Sequence, residues 1–368
     1  MAINKRKRSN AGSTFRVLGV MSGSSLDGVD LALCTFEKRG ANWSFEIESA
    51  KTIPLPAQLR ARLLAVMGGT ALDLARLDLE LGAFIGRACK AFAGRRADMV
   101  ASHGHTIFHL PQEGLTTQIG SGAVIAAAAG ITTVSEFRTK DVALGGQGAP
   151  LVPLGEQLLF PDHRAFINLG GICNISLHGV RRSGSGGGPK VIGYDVCIGN
   201  QALNFLAAEI GKPFDRNGTI AAKGKVDHVL LAQLNALPFH ALKPPRSLGR
   251  EWFNAEVVPM IADRGIPLPD RMRTMVEHIA RQLGTALKNT RTPVLVTGGG
   301  AHNSFLLERM RANTQADIHV PDRTIVDYKE ALVFALLGLL RMRGEANTLA
   351  SVTGAKHDSV GGAVYLAN

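Results

Sequence analysis

Short apolar runs closed by glycine or polar residues recur through both halves of the chain. Residues 17–21 (Val-Leu-Gly-Val-Met), 29–36 and 44–53 carry strand patterning, and 56–67 and 70–92 carry helical spacing. A strand at 98–102 then leads into the polar run Ser102, His103, Gly104, His105, Thr106. A small-residue helix near 122–130 and a strand at 131–137 follow. Residues 145–150 (Gly-Gly-Gln-Gly-Ala-Pro) break any regular element and make a candidate hinge or domain boundary. The second half repeats this grammar, with strands at 165–169, 173–177 and 191–196, then mostly helices. A strand at 293–297 runs into Gly298, Gly299 and Gly300, and helical patterns begin at Asn303 and at Glu330 (330–343).

A strand ending in a glycine turn therefore occurs three times, at 19–23, 170–171 and 298–300. This predicts two similar α/β domains around a cleft, with a basic tail at 1–14, an N-terminal domain at 15–150 and a C-terminal domain at 151–368. The Gly/Ser-rich stretch 181–188 between two strands reads as an exposed hairpin loop.

Composition narrows the function classes. With 45% hydrophobic residues over 368, the chain can bury a large core. Its apolar runs fall short of the roughly 18 residues a membrane span needs, and no signal-peptide pattern follows Lys5, Arg6, Lys7 and Arg8. Cys34, Cys89, Cys173 and Cys197 form neither a disulfide framework nor a zinc-ligand spacing, which fits a reducing cytoplasm. The net charge of +11 is dispersed and only 5% of residues are aromatic, so anionic small molecules fit better as partners than nucleic acid.

Several segments combine residue types that chemistry needs. The turn Gly23, Ser24, Ser25, Leu26, Asp27, Gly28, Val29, Asp30 offers backbone donors, hydroxyls and carboxylates. It reads either as a phosphate cradle in which a carboxylate can hold hydrated magnesium or as an ordinary hairpin turn, and it matches neither Gly-x-x-x-x-Gly-Lys nor Gly-x-Gly-x-x-Gly. Gly298, Gly299 and Gly300 let a nucleotide lie against backbone, or simply make a tight strand-to-helix turn. Asp195 ends a strand, where open α/β sheets place ligand-facing groups, though a buried structural Asp is equally open. Glu330 at a helix start has an electrostatic reason to be there without any catalytic role. His103 and His105 fit hydrogen bonding or substrate contact better than metal binding. Arg138 either forks onto a substrate carboxylate or pairs with Asp141 to fix the loop.

Together these segments resemble the anhydro-N-acetylmuramic acid kinases of the sugar kinase and actin-like ATPase superfamily, over residues 15–367. The run 19–30 is similar to the family's first phosphate loop, 102–106 to its Ser-His-Gly-x-Thr element, and 137–153 to its Phe-Arg-x-x-Asp and Gly-Gly-Gln-Gly-Ala-Pro segment. Residues 168–176, with Gly170 and Gly171, resemble the second phosphate motif, 244–254 the Pro-Lys-Ser-x-Gly-x-Glu stretch, 298–303 the adenosine-side glycines, and Glu330, Ala331 the late Glu-Ala helix. The chain departs from the family where Gly-Phe-Asp-Thr-Gly-Pro-Gly-Asn becomes Gly193, Tyr194, Asp195, Val196, Cys197, Ile198, Gly199, Asn200. Arg246 also replaces a Lys, Ser24 a Thr, and Asn204 an Asp.

The resemblance implies two ribonuclease H-like domains around a central cleft and an enzyme using ATP and Mg2+. That enzyme opens 1,6-anhydro-N-acetylmuramic acid with water and phosphorylates its 6-oxygen, in cytoplasmic peptidoglycan recycling. It implies Asp195 as base, Glu330 assisting, Asp27 toward magnesium, substrate contacts from His105, Thr106, Arg138, Asp141 and Gly148, and a homodimer. The alternatives are a kinase for another sugar, with residues 196–198 reshaping the pocket, or a non-catalytic nucleotide-dependent binding protein of the same fold.

Overall fold

The computed structural model describes residues 14–23, 26–180, 190–244, 246–262 and 265–367; the basic tail and the Gly/Ser-rich loop at 181–188 lie outside them. Among these residues the strands are β1 (Thr14–Met21), β2 (Gly28–Arg39), β3 (Asn42–Pro54), β4 (Met99–Ser102), β5 (His105–Leu110), β6 (Leu115–Ile119), β7 (Thr133–Ser135), β8 (Ala165–Leu169), β9 (Ile172–Val180), β10 (Lys190–Ile198), β11 (Val294–Thr297), β12 (Ile318–His319) and β13 (Ala363–Tyr365). The chain divides into two compact units, Met1–Phe160 with Tyr328–Asn368, and Pro161–Asp327.

The first unit is built on a sheet of order β13-β7-β4-β1-β2-β3, with β1, β2 and β3 antiparallel and β1, β4 and β7 parallel. Leu18, Val20, Leu31 and Leu33 fill its core with Leu77, Leu81 and Ile85 of helix Ala71–Phe92. That helix starts on a capping box in which Thr70 and Asp73 satisfy each other's backbone N–H groups. The second unit repeats the order as β10-β9-β8-β11-β12, with β8, β9 and β10 antiparallel and β8, β11 and β12 parallel. Both sheets share the 3-2-1-4-5 order of a ribonuclease H-like domain, so the repeated grammar of the sequence is a repeated fold.

Three expectations change. The compact units divide after Phe160, not at Pro150, and residues 328–368 pack with the first unit. Residues 145–150 thus form a loop inside that unit, because Gly148 N–H donates to Asp141 Oδ2 at 2.7 Å and Gln147 N–H donates to Thr353 O at 2.8 Å. Glu330 does not open its helix, which runs Arg323–Arg343 and begins on the exposed, charged turn around Arg323 and Asp327. Finally, the end of the 102–106 run and the segment after it form the hairpin β5–β6, from His105 to Ile119, which sequence patterning missed.

Candidate functional site

In the first unit, close packing sets the turn between β1 and β2. A Cβ on Gly19 would fall 1.9 Å from the carbonyl oxygen of Ala331, so helix Arg323–Arg343 lies directly on β1 and brings its Glu330 to that strand. Gly28 is glycine for a similar reason, its Cβ position being 2.7 Å from Ile53 O. Gly23 O accepts from Leu26 N–H at 3.2 Å, Leu26 has φ +55°, and Asp27 is exposed; Ser24 and Ser25 lie outside the described residues. Val29 is fully buried and serves packing, while Asp30 accepts from Thr52 Oγ1 at 2.6 Å. His105, kept neutral-leaning by burial, is 3.4 Å through Nδ1 from Ser22 Oγ, and Thr106 Oγ1 accepts from Gln118 Nε2 at 3.4 Å.

Arg138 is held by the loop network. Its Nε and Nη2 donate to His103 Nε2 at 3.0 and 2.8 Å, and Nη1 donates to Gly148 O at 2.7 Å. Since Nε2 accepts, His103 carries its proton on Nδ1 and donates to Gly104 O at 2.9 Å. Burial, and then Arg138 itself, push the His103 pKa well below the ordinary histidine value, so the ring stays neutral. Arg138 is lowered to about 10 by burial, against the opposing charge of Glu330. Among the described residues Asp141 does not pair with Arg138; both its carboxylate oxygens are engaged within the loop network. It is 1% exposed, with Oδ2 on Gly148 N–H and Oδ1 accepting from Thr353 Oγ1 at 2.7 Å, so it anchors the carbonyl that holds Arg138. Three of the predicted substrate residues, Arg138, Asp141 and Gly148, thus form one chain in which Arg138 alone presents spare donors.

Glu330 is half-buried. Burial raises its carboxyl pKa, Lys329 and Arg138 pull it back, and Asp30 and Glu156 raise it further. Beside it, Lys329 Nζ makes a buried ion pair with Glu156 Oε1 at 2.7 Å, a contact no local sequence signal announced. A cavity of about 350 Å³ also lies in this unit, lined by His103, Gly104, Asp78, Ser121, Ser135, Glu136 and Tyr365 among others. Ser135 Oγ is buried and has no partner among the described residues, Glu136 sits at φ +59°, and Tyr365 donates to Glu136 Oε1 at 2.8 Å. An unpartnered hydroxyl beside carboxylates and amides suits a hydroxyl-rich ligand. Of this lining, sequence reading reached only the 102–106 run.

In the second unit, Asp195 lies on β10 opposite Asn174. Leu248 N–H donates to its Oδ2 at 2.8 Å. Burial raises its carboxyl pKa; the Leu248 hydrogen bond and the Arg246 charge oppose that rise. Val196, Cys197 and Ile198, where the chain departs from its family, are buried in the core at 0 to 2% exposure, so they shape packing behind Asp195. The predicted glycines come together because β8 and β11 are parallel neighbours that end side by side, Thr297 against Asn168. Gly199 N–H and Asn200 N–H donate to Gly171 O and Gly170 O at 2.8 and 2.9 Å.

These glycines are not equivalent. Gly298 has φ +85° with a Cβ position 2.2 Å from Asn168 Oδ1, and a Cβ on Gly300 would meet Leu169 Cβ at 2.7 Å. Gly171 and Gly299 are exposed, and a Cβ there would meet nothing closer than 3.8 Å. The protein's own packing does not require glycine at those two positions; bare backbone there leaves room for a ligand at the carboxyl ends of the parallel strands, where nucleotides bind in open α/β sheets. Magnesium commonly keeps its waters and takes only one or two protein carboxylates beside phosphate, and the exposed Asp27 fits that donor set.

The sequence matches the family model "Anhydro-N-acetylmuramic acid kinase" over residues 15–367. The chain belongs to the anhydro-N-acetylmuramic acid kinase family. It is 37% identical over 366 residues to the curated anhydro-N-acetylmuramic acid kinase of Gloeobacter violaceus, covering 92% of this chain and 95% of that protein. The kinases of Vibrio cholerae and Xanthomonas axonopodis pv. citri are 36% and 38% identical over 371 residues, each alignment covering 95% of this chain and 97% of theirs. Membership makes the chain a phosphotransferase that uses a nucleotide and a small sugar. Among the described residues no helix is long and apolar enough to cross a membrane.

Proposed function

We propose that the protein is an ATP-dependent kinase that hydrolytically opens 1,6-anhydro-N-acetylmuramic acid and phosphorylates the released 6-oxygen, giving N-acetylmuramic acid 6-phosphate in peptidoglycan recycling and amino sugar catabolism. The observation that carries this reading is Asp195: a carboxylate whose pKa burial raises, with Leu248 N–H on one oxygen, in the same sheet as the strands that lead to the exposed Gly171 and Gly299. A base so tuned suits proton removal from water near neutral pH. Water oxygen bonds to the anomeric carbon as the bridge to the 6-oxygen breaks. That oxygen takes the γ-phosphoryl group as the bond to ADP breaks, and the water proton passes to Asp195. No second acid is needed for the leaving oxygen, because phosphorus captures it.

Arg138, with two N–H groups beyond those bound to His103 and Gly148, pairs with the lactyl carboxylate in this reading. Glu330 orients sugar or water, and His105 and Thr106 contact the sugar. Gly170, Gly171, Gly299 and the 23–30 turn hold ATP, with Asp27 toward Mg2+. Magnesium neutralises charge on the transferring phosphoryl group. A cytoplasmic location and a homodimer complete the reading and rest on the family alone.

The test is incubation with Mg2+, ATP and the anhydro-sugar in ¹⁸O-labelled water. A sugar phosphate labelled at the anomeric carbon is expected. ADP with an unlabelled sugar product would replace the reading with plain phosphorylation.

A further inference from the structure

Arg246 stands where the family pattern has Lys, and Tyr194 where it has Phe. The two touch: the Arg246 guanidinium carbon lies 5.4 Å from the Tyr194 ring centre and 4.8 Å from that of Phe239. Its Nη1 donates to three carbonyls, of Phe239 at 3.1 Å, His240 at 3.0 Å and Leu242 at 2.9 Å, and its Nε donates to Asp195 O at 3.1 Å. The main chain closes the same junction, since Asp195 N–H donates to Arg246 O at 3.0 Å. Two residues on, Leu248 N–H holds Asp195 Oδ2. A planar fork between two rings is what lets one side chain bind the strand and the 238–242 turn together; an ammonium offers three hydrogen bonds but no plane to stack.

We propose that Arg246 is the positioning residue for Asp195. It clamps the segment around residues 239–248 to β10, so that Leu248 keeps Oδ2 and Oδ1 is the oxygen presented to the proton. Its charge also helps keep the carboxylate ionised at the working pH. This rests on the reading of Asp195 as base, so Asp195→Asn is measured in parallel.

Two variants separate charge from shape. Arg246→Lys keeps the charge and loses the fork, and is expected to lower kcat on the order of 10²-fold, as small misplacements of catalytic groups do, with the acidic limb of the kcat–pH profile in place. Arg246→Ala is expected to lower kcat similarly and to move that limb to higher pH, because the nearby positive charge that depresses the Asp195 pKa is gone. KM for ATP should not move in either, and melting temperatures report folding. Should Arg246→Ala not fold, Tyr194→Leu, which removes one stacking ring, takes its place for kcat, and Arg246→Lys then decides. Wild-type kcat in a folded Arg246→Lys, or an unmoved acidic limb in a folded Arg246→Ala, overturns the proposal while an inactive Asp195→Asn leaves the base assignment standing. An active Asp195→Asn instead removes the base reading itself.

Discussion

The two units share one strand order and differ in what their turns carry. In the first, the turn between its first two strands spans residues 22–27 and holds Ser22 and Asp27; in the second, the equivalent turn is only Gly170 and Gly171. After the fourth strand in spatial sequence, the first unit inserts the β5–β6 hairpin, whose residues line the cavity with His103, whereas the second passes from β11 through Gly298 to Gly300 into helix Ser304–Ala312. The acids differ too. Asp195 lies on the third strand of its own sheet, while Glu330 reaches the first unit from a helix packed on β1 through Gly19. A single fold thus carries side-chain donors and a carboxylate at the first turn of one copy and bare backbone at the equivalent turn of the other, a difference set by turns and insertions.

The largest expected effect contrasts the two acids. With Asp195 as the proposed base, Asp195→Asn should lower kcat by about 10² to 10⁴ while sparing ATP binding; Glu330→Gln should cost distinctly less if Glu330 orients rather than takes the proton, as proposed. Steady-state kinetics decide, and equal losses would mean that the proton is not assigned to the second unit alone. If Asp195 is the base, as proposed, the active form has it ionised; because burial raises its pKa, activity should fall with decreasing pH at a higher pH than an ordinary aspartate would give.

Next in size is a contrast of ion pairs. Lys329–Glu156 is buried on both sides, 5% and 4% exposed, whereas Arg271–Glu209 in the second unit leaves its carboxylate 21% exposed. Glu156→Ala removes a close countercharge from a buried ammonium and should cost about 3–5 kcal/mol. Glu209→Ala should cost less, because water reaches that site. Thermal melting of both variants ranks them, and the reverse order would show that desolvation is not what separates the pairs.

Much of this was legible in the sequence where the signal is local. The strands at 17–21, 29–36, 44–53 and 165–169 and the glycine turns were placed correctly because apolar runs and chain breakers act over a few residues. The hairpin β5–β6 escaped because His105–Leu110 and Leu115–Ile119 mix polar and apolar positions around Pro111 and Gly114. The start of helix Arg323–Arg343 escaped because Arg323, Thr324 and Asp327 are exposed and the near-continuous apolar run begins only after Glu330, leaving Ile325 and Val326 as a weak apolar signal before it. The site was legible as motifs but not as roles. Asp141 looks like a partner for nearby Arg138, yet its second oxygen is taken by Thr353, which lies 212 residues away, and Glu156 meets Lys329 across 173.

A smaller effect separates glycines that fold the protein from glycines that leave room for a ligand. Gly298→Ala forces a side chain onto φ +85° and into Asn168, and should destabilise by about 1–3 kcal/mol. Gly299→Ala meets no such contact and should melt within about 0.5 kcal/mol of the parent, yet raise KM for ATP. A Gly299→Ala enzyme with unchanged KM would put the nucleotide elsewhere.

The smallest effect is in acid stability. His278 and His240 in the second unit are pushed down to about 3 and 4, chiefly by burial, and His103 in the first is pushed well below its ordinary value by burial and Arg138. Each is neutral when folded, while the unfolded chain takes up a proton below about pH 6.5, so stability present above that value is lost as pH falls. Each should contribute about 1 kcal/mol of loss by pH 6. His278→Gln should flatten the slope of melting temperature between pH 7 and pH 5 without changing kcat. His103→Gln should flatten it and also raise KM for the anhydro-sugar, because Nε2 is what Arg138 leans on. If both variants alter only the slope, His103 is a buried histidine like His278, and the first unit holds Arg138 by Gly148 alone.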